Sequence, residues 1–403
     1  MSAVDGASRR LVAIDALRGI AVLAVVASHL PFSMNSAPAV AGAVAAPESV
    51  FPAWLVGILD HGRFGVHLFL VISGFCIHMA WARRKADTAA VSFGAFWKRR
   101  LHRLYPPYLA ALLLSLAGLY VLHAVLGGAS GSFATRLGYP SNGQLAVDLV
   151  LLLLLAQNLN GASGRVGNGP FWTLALEEQL YALYFPLLYL RRRFGWTPAL
   201  VVVLLTTLIW RTVAILAFPG PLQDTLLVVG PSRWFEWTLG ALAVEAFLGR
   251  VTLPRWTRSG RAGAALLALA LAAFDAPRLG AREAFITPFG DALFGLSLFV
   301  LVNYACHIRW AEGDRSSSVT RFFAWVGTFS YSLYLTHQLV IVAAKQVALR
   351  LGLGTAGVLV LRISLPILAA WVFFQIIERR FLSSSRPSPA PTIAEPLEGD
   401  ARV

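Results

Sequence analysis

Cysteine is almost absent from this 403-residue chain: Cys76 and Cys306 are the only two. Both sit in apolar stretches, so no disulfide framework holds the fold and each is expected to be structural. Charged residues make up 13% of the sequence, with only 20 acidic against 34 Lys and Arg. That scarcity excludes a soluble domain of ordinary composition. Sustained two-residue alternation with short turns is missing too, which argues against an outer-membrane barrel. Nor is there an internal repeat of the kind built into secondary transporters.

What abounds is apolar sequence. Hydrophobic residues reach 57% and mean hydropathy is +0.66, so the expected fold is all-α, a polytopic membrane bundle. Eleven apolar segments stand out, at about 11–30, 64–82, 104–126, 145–157, 170–190, 197–217, 227–248, 262–275, 286–305, 322–347 and 355–380. The net charge of +14 sits mostly in short loops beside them, where Lys and Arg mark the cytoplasmic side. Anionic membrane lipids are therefore expected partners, and nucleic acid is not. The segment 145–157, LAVDLVLLLLLAQ, has 13 residues and contains Asp148, a length suited to a re-entrant or interfacial piece. Setting it aside leaves ten spans and puts every basic loop and both termini in the cytoplasm. Arg9 and Arg10 precede the first apolar run as in a signal peptide, but Asp15 and Arg18 interrupt it. The run is expected to remain as the first helix. Residues 383–403, polar and proline-rich, are expected to form a disordered cytoplasmic tail.

Ionisable residues inside these spans point to function, because each costs roughly 2.5–3.5 kcal/mol at a bilayer centre on insertion scales. The first span carries Asp15, Arg18 and His29. Arg18 and His29 are eleven residues apart, close to three turns, so they share one helix face about 16 Å apart along the axis. A histidine is suited to removing a proton from a hydroxyl; Arg18 could instead be held by Asp15 as a structural pair. In NGPFWTLALEEQLYALYFP, residues 168–186, Glu177 and Tyr181 share a face and Glu178 points elsewhere. In KRRLHRLYPPY, residues 98–108, Arg99, Arg100 and Arg103 cluster on a helical continuation. Guanidinium forks suit phosphate oxygens, although any basic loop also serves as a topology signal. GTFSYSLYLTHQLV, residues 327–340, aligns Ser330 and His337 with Tyr334 adjacent, while GVHLFLVISGF places Ser73 beside Gly74, a pair suited to close helix packing. No metal ligand set is expected.

Arg18 and His29 within DALRGIAVLAVVASH, followed by GVHLFLVISGF, KRRLHRLYP, WTLALEEQLY and SYSLYLTH, resemble the membrane-bound acyltransferase-3 family. These five motifs occur in the family's order and cover residues 11 to about 340. His67 departs from the pattern, since relatives often carry an acidic or polar residue there. The resemblance implies an acyltransferase-type transmembrane domain over residues 1–382, of the short, stand-alone kind, in a bacterial inner membrane. It implies transfer of an acyl group, most often acetyl, from cytoplasmic acyl-coenzyme A as co-substrate, with no tightly bound cofactor, to a hydroxyl of a sugar-containing acceptor. In that reading His29 is the general base, Arg18 a thioester or phosphopantetheine contact and Glu177 an orienting group. Arg99, Arg100 and Arg103 then bind coenzyme A, while Ser73, Tyr181, Tyr334 and His337 line the substrate cavity. Ser73 and Cys76 have no evident neighbouring base in sequence, so direct transfer is preferred to an acyl-enzyme. The acceptor, acyl chain length and oligomeric state stay open. A proton-coupled transporter using His29, Glu177 and His337 is the alternative.

Overall fold

In a computed structural model of the protein, the described residues are 3–31, 52–83, 92–125, 134, 137, 139, 141–160, 169–276, 283–308 and 317–382. The tail expected from 383 onward lies outside them. All regular elements among the described residues are helical. They are α1 (Ala3–His29), α2 (Ala53–Asp60), α3 (Gly65–Ala82), α4 (Phe93–Val125), α5 (Asn142–Leu153), α6 (Trp172–Phe194) and α7 (Trp196–Ala217). After these come α8 (Pro221–Leu227), α9 (Gly230–Phe247), α10 (Gly260–Asp275), α11 (Glu283–His307), α12 (Ser318–Thr328), α13 (Ser330–Arg350) and α14 (Thr355–Ile376).

Six stretches are long and apolar enough to cross a membrane: Val12–His29, Trp54–Ala82, Phe93–Val121, Trp196–Ala217, Pro288–His307 and Thr355–Ile376. The protein is an integral membrane protein. Helices α6, α9 and α13 are also 18 to 23 residues long, but they carry more of the charge discussed below. The segment 145–157 is largely helical as α5, 12 residues long from Asn142 to Leu153. Its Asp148 is buried and accepts a hydrogen bond from Gln144 at 3.1 Å. The apolar run 322–347, read from sequence as one segment, is instead two helices broken at Phe329, whose φ −119° and ψ 23° are not helical.

Glycines set the closest helix crossings. A Cβ on Gly74 would lie 1.9 Å from the Trp237 carbonyl oxygen, and one on Gly240 would lie 1.9 Å from that of Val71. Only hydrogen at both positions lets α3 and α9 approach so closely. At α1 and α12 the same device recurs, with Gly19 against Phe323 and Gly327 against Asp15. These contacts run in opposite order along the two helices, so α12 descends along α1. After the break at Phe329, α13 climbs back beside α1, bringing His337 level with His29. The corner around the break puts Gly327 and Ser330 around the same cavity as Arg18. The largest apolar cluster fills the space between α3, α6, α7, α9 and α11, around Ile72, Phe75, Leu180, Tyr184, Trp237 and Val300.

Candidate active site

A cavity of about 170 Å³ opens between α1, α3, α4, α6 and the α12–α13 corner. Arg18, Ser73, Cys76, Arg100, Arg103, Glu177, Tyr181 and Tyr334 line it, along with Glu378. Helix α4 holds Arg100 and Arg103 on one face from its first turns, as their spacing implies. Arg99 does not join them: it is exposed and turned away from the cavity. Arg100 stacks its guanidinium over the Phe96 ring at 5.7 Å, and its Nε is buried with no hydrogen-bond partner among the described residues.

Deeper in, Arg18 reaches Cys76 Sγ at 3.1 Å through Nη2 and Asp15 at 3.5 Å through Nη1. The Asp15 pair anticipated from sequence is real but long, and it leaves the guanidinium at the cavity wall. Glu177 is the hub of the opposite wall. Its Oε1 accepts from the Ser73 hydroxyl at 2.6 Å and from the Tyr181 hydroxyl at 2.5 Å, while Trp237 Nε1 donates to Ser73 Oγ at 3.2 Å. Sequence spacing accounts for Glu177 with Tyr181; the approach of Ser73 from α3 depends on tertiary packing. Ser73 thus has a carboxylate neighbour that the sequence did not reveal. Glu177 lines the cavity shared with Arg100 and Arg103, and His29 does not.

His29 sits beyond a partition. Tyr334 closes that side of the cavity, its hydroxyl fixed at 2.6 Å from Thr173 Oγ1 and 3.1 Å from the Pro170 carbonyl oxygen. Phe69 stands edge-on to its ring at 5.7 Å. Behind Tyr334, the rings of His337 and His29 meet edge to face, 5.0 Å between centroids. His337 is therefore next to the cavity lining and not part of it. The tautomers follow from the partners: His29 Nδ1 faces the Val25 carbonyl at 2.8 Å, and His337 Nδ1 faces those of Tyr334 and Leu333 at 2.9 and 3.1 Å. A carbonyl only accepts, so each Nδ1 carries the proton and each neutral ring keeps its lone pair at Nε2.

Two further polar groups were not singled out as site residues. Glu378, after α14, accepts the Ser332 backbone N–H at 3.1 Å as well as the Ser332 hydroxyl, so it caps the start of α13 at the cavity floor. In sequence it reads as an interface charge beside Arg379 and Arg380. The second group explains His67, the departure from the family pattern. His67 Nδ1 meets Glu236 at 2.6 Å on the α9 side of α3, where Arg233, Asp291 and Arg211 complete an ionic cluster. The clue was available, since Arg233, Glu236 and Glu245 all interrupt one apolar segment.

The sequence matches a family described as an acyltransferase domain over residues 11–375. It is 26% identical to the peptidoglycan O-acetyltransferase OatA of Listeria monocytogenes over 82% of this chain and 49% of that protein. It is also 26% identical to the acyltransferase MdmB of Streptomyces mycarofaciens, over 96% of this chain and 97% of that one. A Bacillus subtilis relative is 25% identical, with 55% of its length covered, so the chain spans about half the length of the Bacillus and Listeria relatives. These relatives lend no support to the transporter alternative. No solved structure matches the chain.

Proposed function

The chain belongs to the acyltransferase family whose domain extends over residues 11–375, and on that premise we propose that it moves an acyl group, in the first instance acetyl, from acyl-coenzyme A to a sugar hydroxyl. The observation that carries this reading is the arrangement of one cavity and one histidine pair on either side of Tyr334. Arg100 and Arg103 on the cavity wall offer forked donors for the phosphates of coenzyme A. Arg18 stands further along the wall, where it would contact the pantetheine arm or the thioester. With these arginines cytoplasmic, both termini are cytoplasmic and His29 lies toward the outer side of a bacterial inner membrane, where an acceptor arrives. Acceptors such as a surface glycan or a glycosylated metabolite present the same hydroxyl.

In the reaction His29 Nε2 takes the proton of the acceptor hydroxyl as its oxygen attacks the thioester carbonyl. The carbon–sulfur bond then breaks, coenzyme A leaves as the thiol with the proton returned to sulfur, and the ester oxygen keeps the new bond. Arg18 and His29 are eleven residues apart on α1, about 16 Å along the axis. One side chain therefore holds the donor while the other prepares the acceptor, and Tyr334 and Phe69 must yield to let the acyl end through. Glu177 fixes Ser73 and Tyr181 in the donor wall rather than orienting His29. Direct transfer remains the preferred course, because Glu177 is already shared between two hydroxyl donors.

The test is transfer of labelled acetyl from acetyl-coenzyme A to a panel of neutral and of phosphate- or carboxylate-bearing glycosides by the purified full chain in detergent, without any ion gradient. Labelled ester and stoichiometric free thiol are expected. Absence of acetylated product from every sugar offered, with donor binding intact, would overturn the assignment of the acceptor class.

A further inference from the structure

Among the described residues, two cations at the His29 end of the bundle are buried without an opposing charge. Lys345 on α13 is 6% exposed and Arg362 on α14 is 3% exposed. Helices α13 and α14 pack along each other as a hairpin turning at 351–354, which brings the two residues to nearly the same level. The other buried Arg, Asp and Glu side chains among the described residues are met either by an ionisable partner or, for Asp148 and Glu378, by neutral hydrogen-bond donors. Arg211 pairs with Asp291, Glu236 with His67, Glu245 with His78 and Arg191, Asp148 with Gln144, and Glu378 with Ser332. Among the described residues no carboxylate pairs with Lys345 or Arg362. Among the described residues Arg362 reaches only the His29 carbonyl oxygen, at 3.5 Å through Nη2, and its Nε is buried with no partner there. A helix-end carbonyl is a partial negative charge and does not balance two full positive ones. Two like charges held out of water are stable in one place when an anion joins them.

Their position ties them to the transfer. Lys345 follows Tyr334 by eleven residues and His337 by eight on α13. It therefore continues the Tyr334 stripe and stands about 12 Å past His337, on the side away from the donor cavity. We propose that Lys345 and Arg362 form a binding site for a phosphate or carboxylate presented beside His29. For the transfer proposed above, and resting on it to that extent, the acceptor would be an anionic sugar derivative rather than a neutral glycoside. An anionic lipid headgroup offers the same chemistry from a second source.

Thermal melting of the full-length protein in neutral detergent tests the site without requiring activity, so failure here is distinct from failure of the acyltransferase reading. Glucose 6-phosphate is compared with glucose, and micelles doped with phosphatidylglycerol with those doped with phosphatidylcholine. A saturating phosphate-bearing probe should raise Tm by about 2 °C or more. The shift should vanish in K345Q/R362Q, survive in K345R/R362K, and survive in R100A/R103A, which removes the other phosphate-binding candidate. A shift from glucose 6-phosphate identifies an anionic acceptor; one from phosphatidylglycerol alone identifies a lipid headgroup. No shift from either, or a shift kept by K345Q/R362Q, would overturn the proposal. If that double variant does not fold, single K345Q should lose at least half of the shift, and retention of the whole shift counts against the site.

Discussion

Replacing His29 with Ala removes the lone pair assigned to the acceptor hydroxyl while leaving the donor cavity intact. A positioned base contributes about 10²–10⁴ in rate, equivalent to about 2.7–5.4 kcal/mol of transition-state stabilisation. The structure says where that loss must appear. His29 lies three turns beyond Arg18 and outside the cavity lined by Arg100 and Arg103, so kcat should fall by that factor while the donor KM stays within about twofold. His337→Ala is the internal comparison. Its Nδ1 is held by carbonyls of its own helix and its ring contact with His29 is worth about 0.5–1.5 kcal/mol, so its loss should cost about tenfold at most. The assay is labelled acetyl transfer by purified variants whose melting matches wild type. Wild-type kcat in His29→Ala, or a raised donor KM with kcat unchanged, would refute the division between donor cavity and histidine pair.

Other variants probe the remaining walls. Arg100→Ala and Arg103→Ala should each raise the donor KM about tenfold or more, as charge-assisted phosphate contacts are worth about 1.5–3 kcal/mol; Arg99→Ala, turned away from the cavity, should leave it unchanged in the same titration. Glu177→Gln keeps the shape but replaces the charged acceptor of two hydroxyls, and a loss of about tenfold in kcat/KM is expected, with equal activity showing that the hub is dispensable. Gly74→Ala forces α3 away from the Trp237 carbonyl, so a destabilisation of about 1–3 kcal/mol should appear in denaturant unfolding. For topology, cysteines placed at Ser141 and Ser163 should be labelled from the same side of the membrane; labelling from opposite sides would restore the segment 145–157 as a span.

Much of this was legible because intramembrane charge is conspicuous. Arg18 and His29 on one stripe, Arg100 with Arg103, and Glu177 with Tyr181 all follow from helical spacing alone, and the structure places each pair on a shared face. What spacing could not give is which stripes meet. The encounter of His29 with His337 depends on the break at Phe329, and a Gly-Thr-Phe-Ser sequence inside an apolar run gives no firm signal to stop. Likewise Ser73 looked like a packing residue beside Gly74, and it is one. The crossing at Gly74 and Gly240 is also what delivers its hydroxyl to Glu177 and Trp237.

That crossing also gives the charges of α9 a physical reason. His67 meets Glu236 on one side of the glycine contact and His78 meets Glu245 on the other, so α3 and α9 run in the same direction with a polar pair on either side of their closest approach. Glycine contacts alone set distance and leave sliding open, because a smooth apolar face fits in several registers. Buried polar pairs remove that freedom, since a slip of even one residue would leave four ionisable groups without partners. Ser73 lies between the two pairs, one residue from the crossing. The registry that satisfies His67 and His78 is therefore the one that holds Ser73 against Glu177, and the ionic face turned away from the cavity fixes the geometry of the wall that faces it.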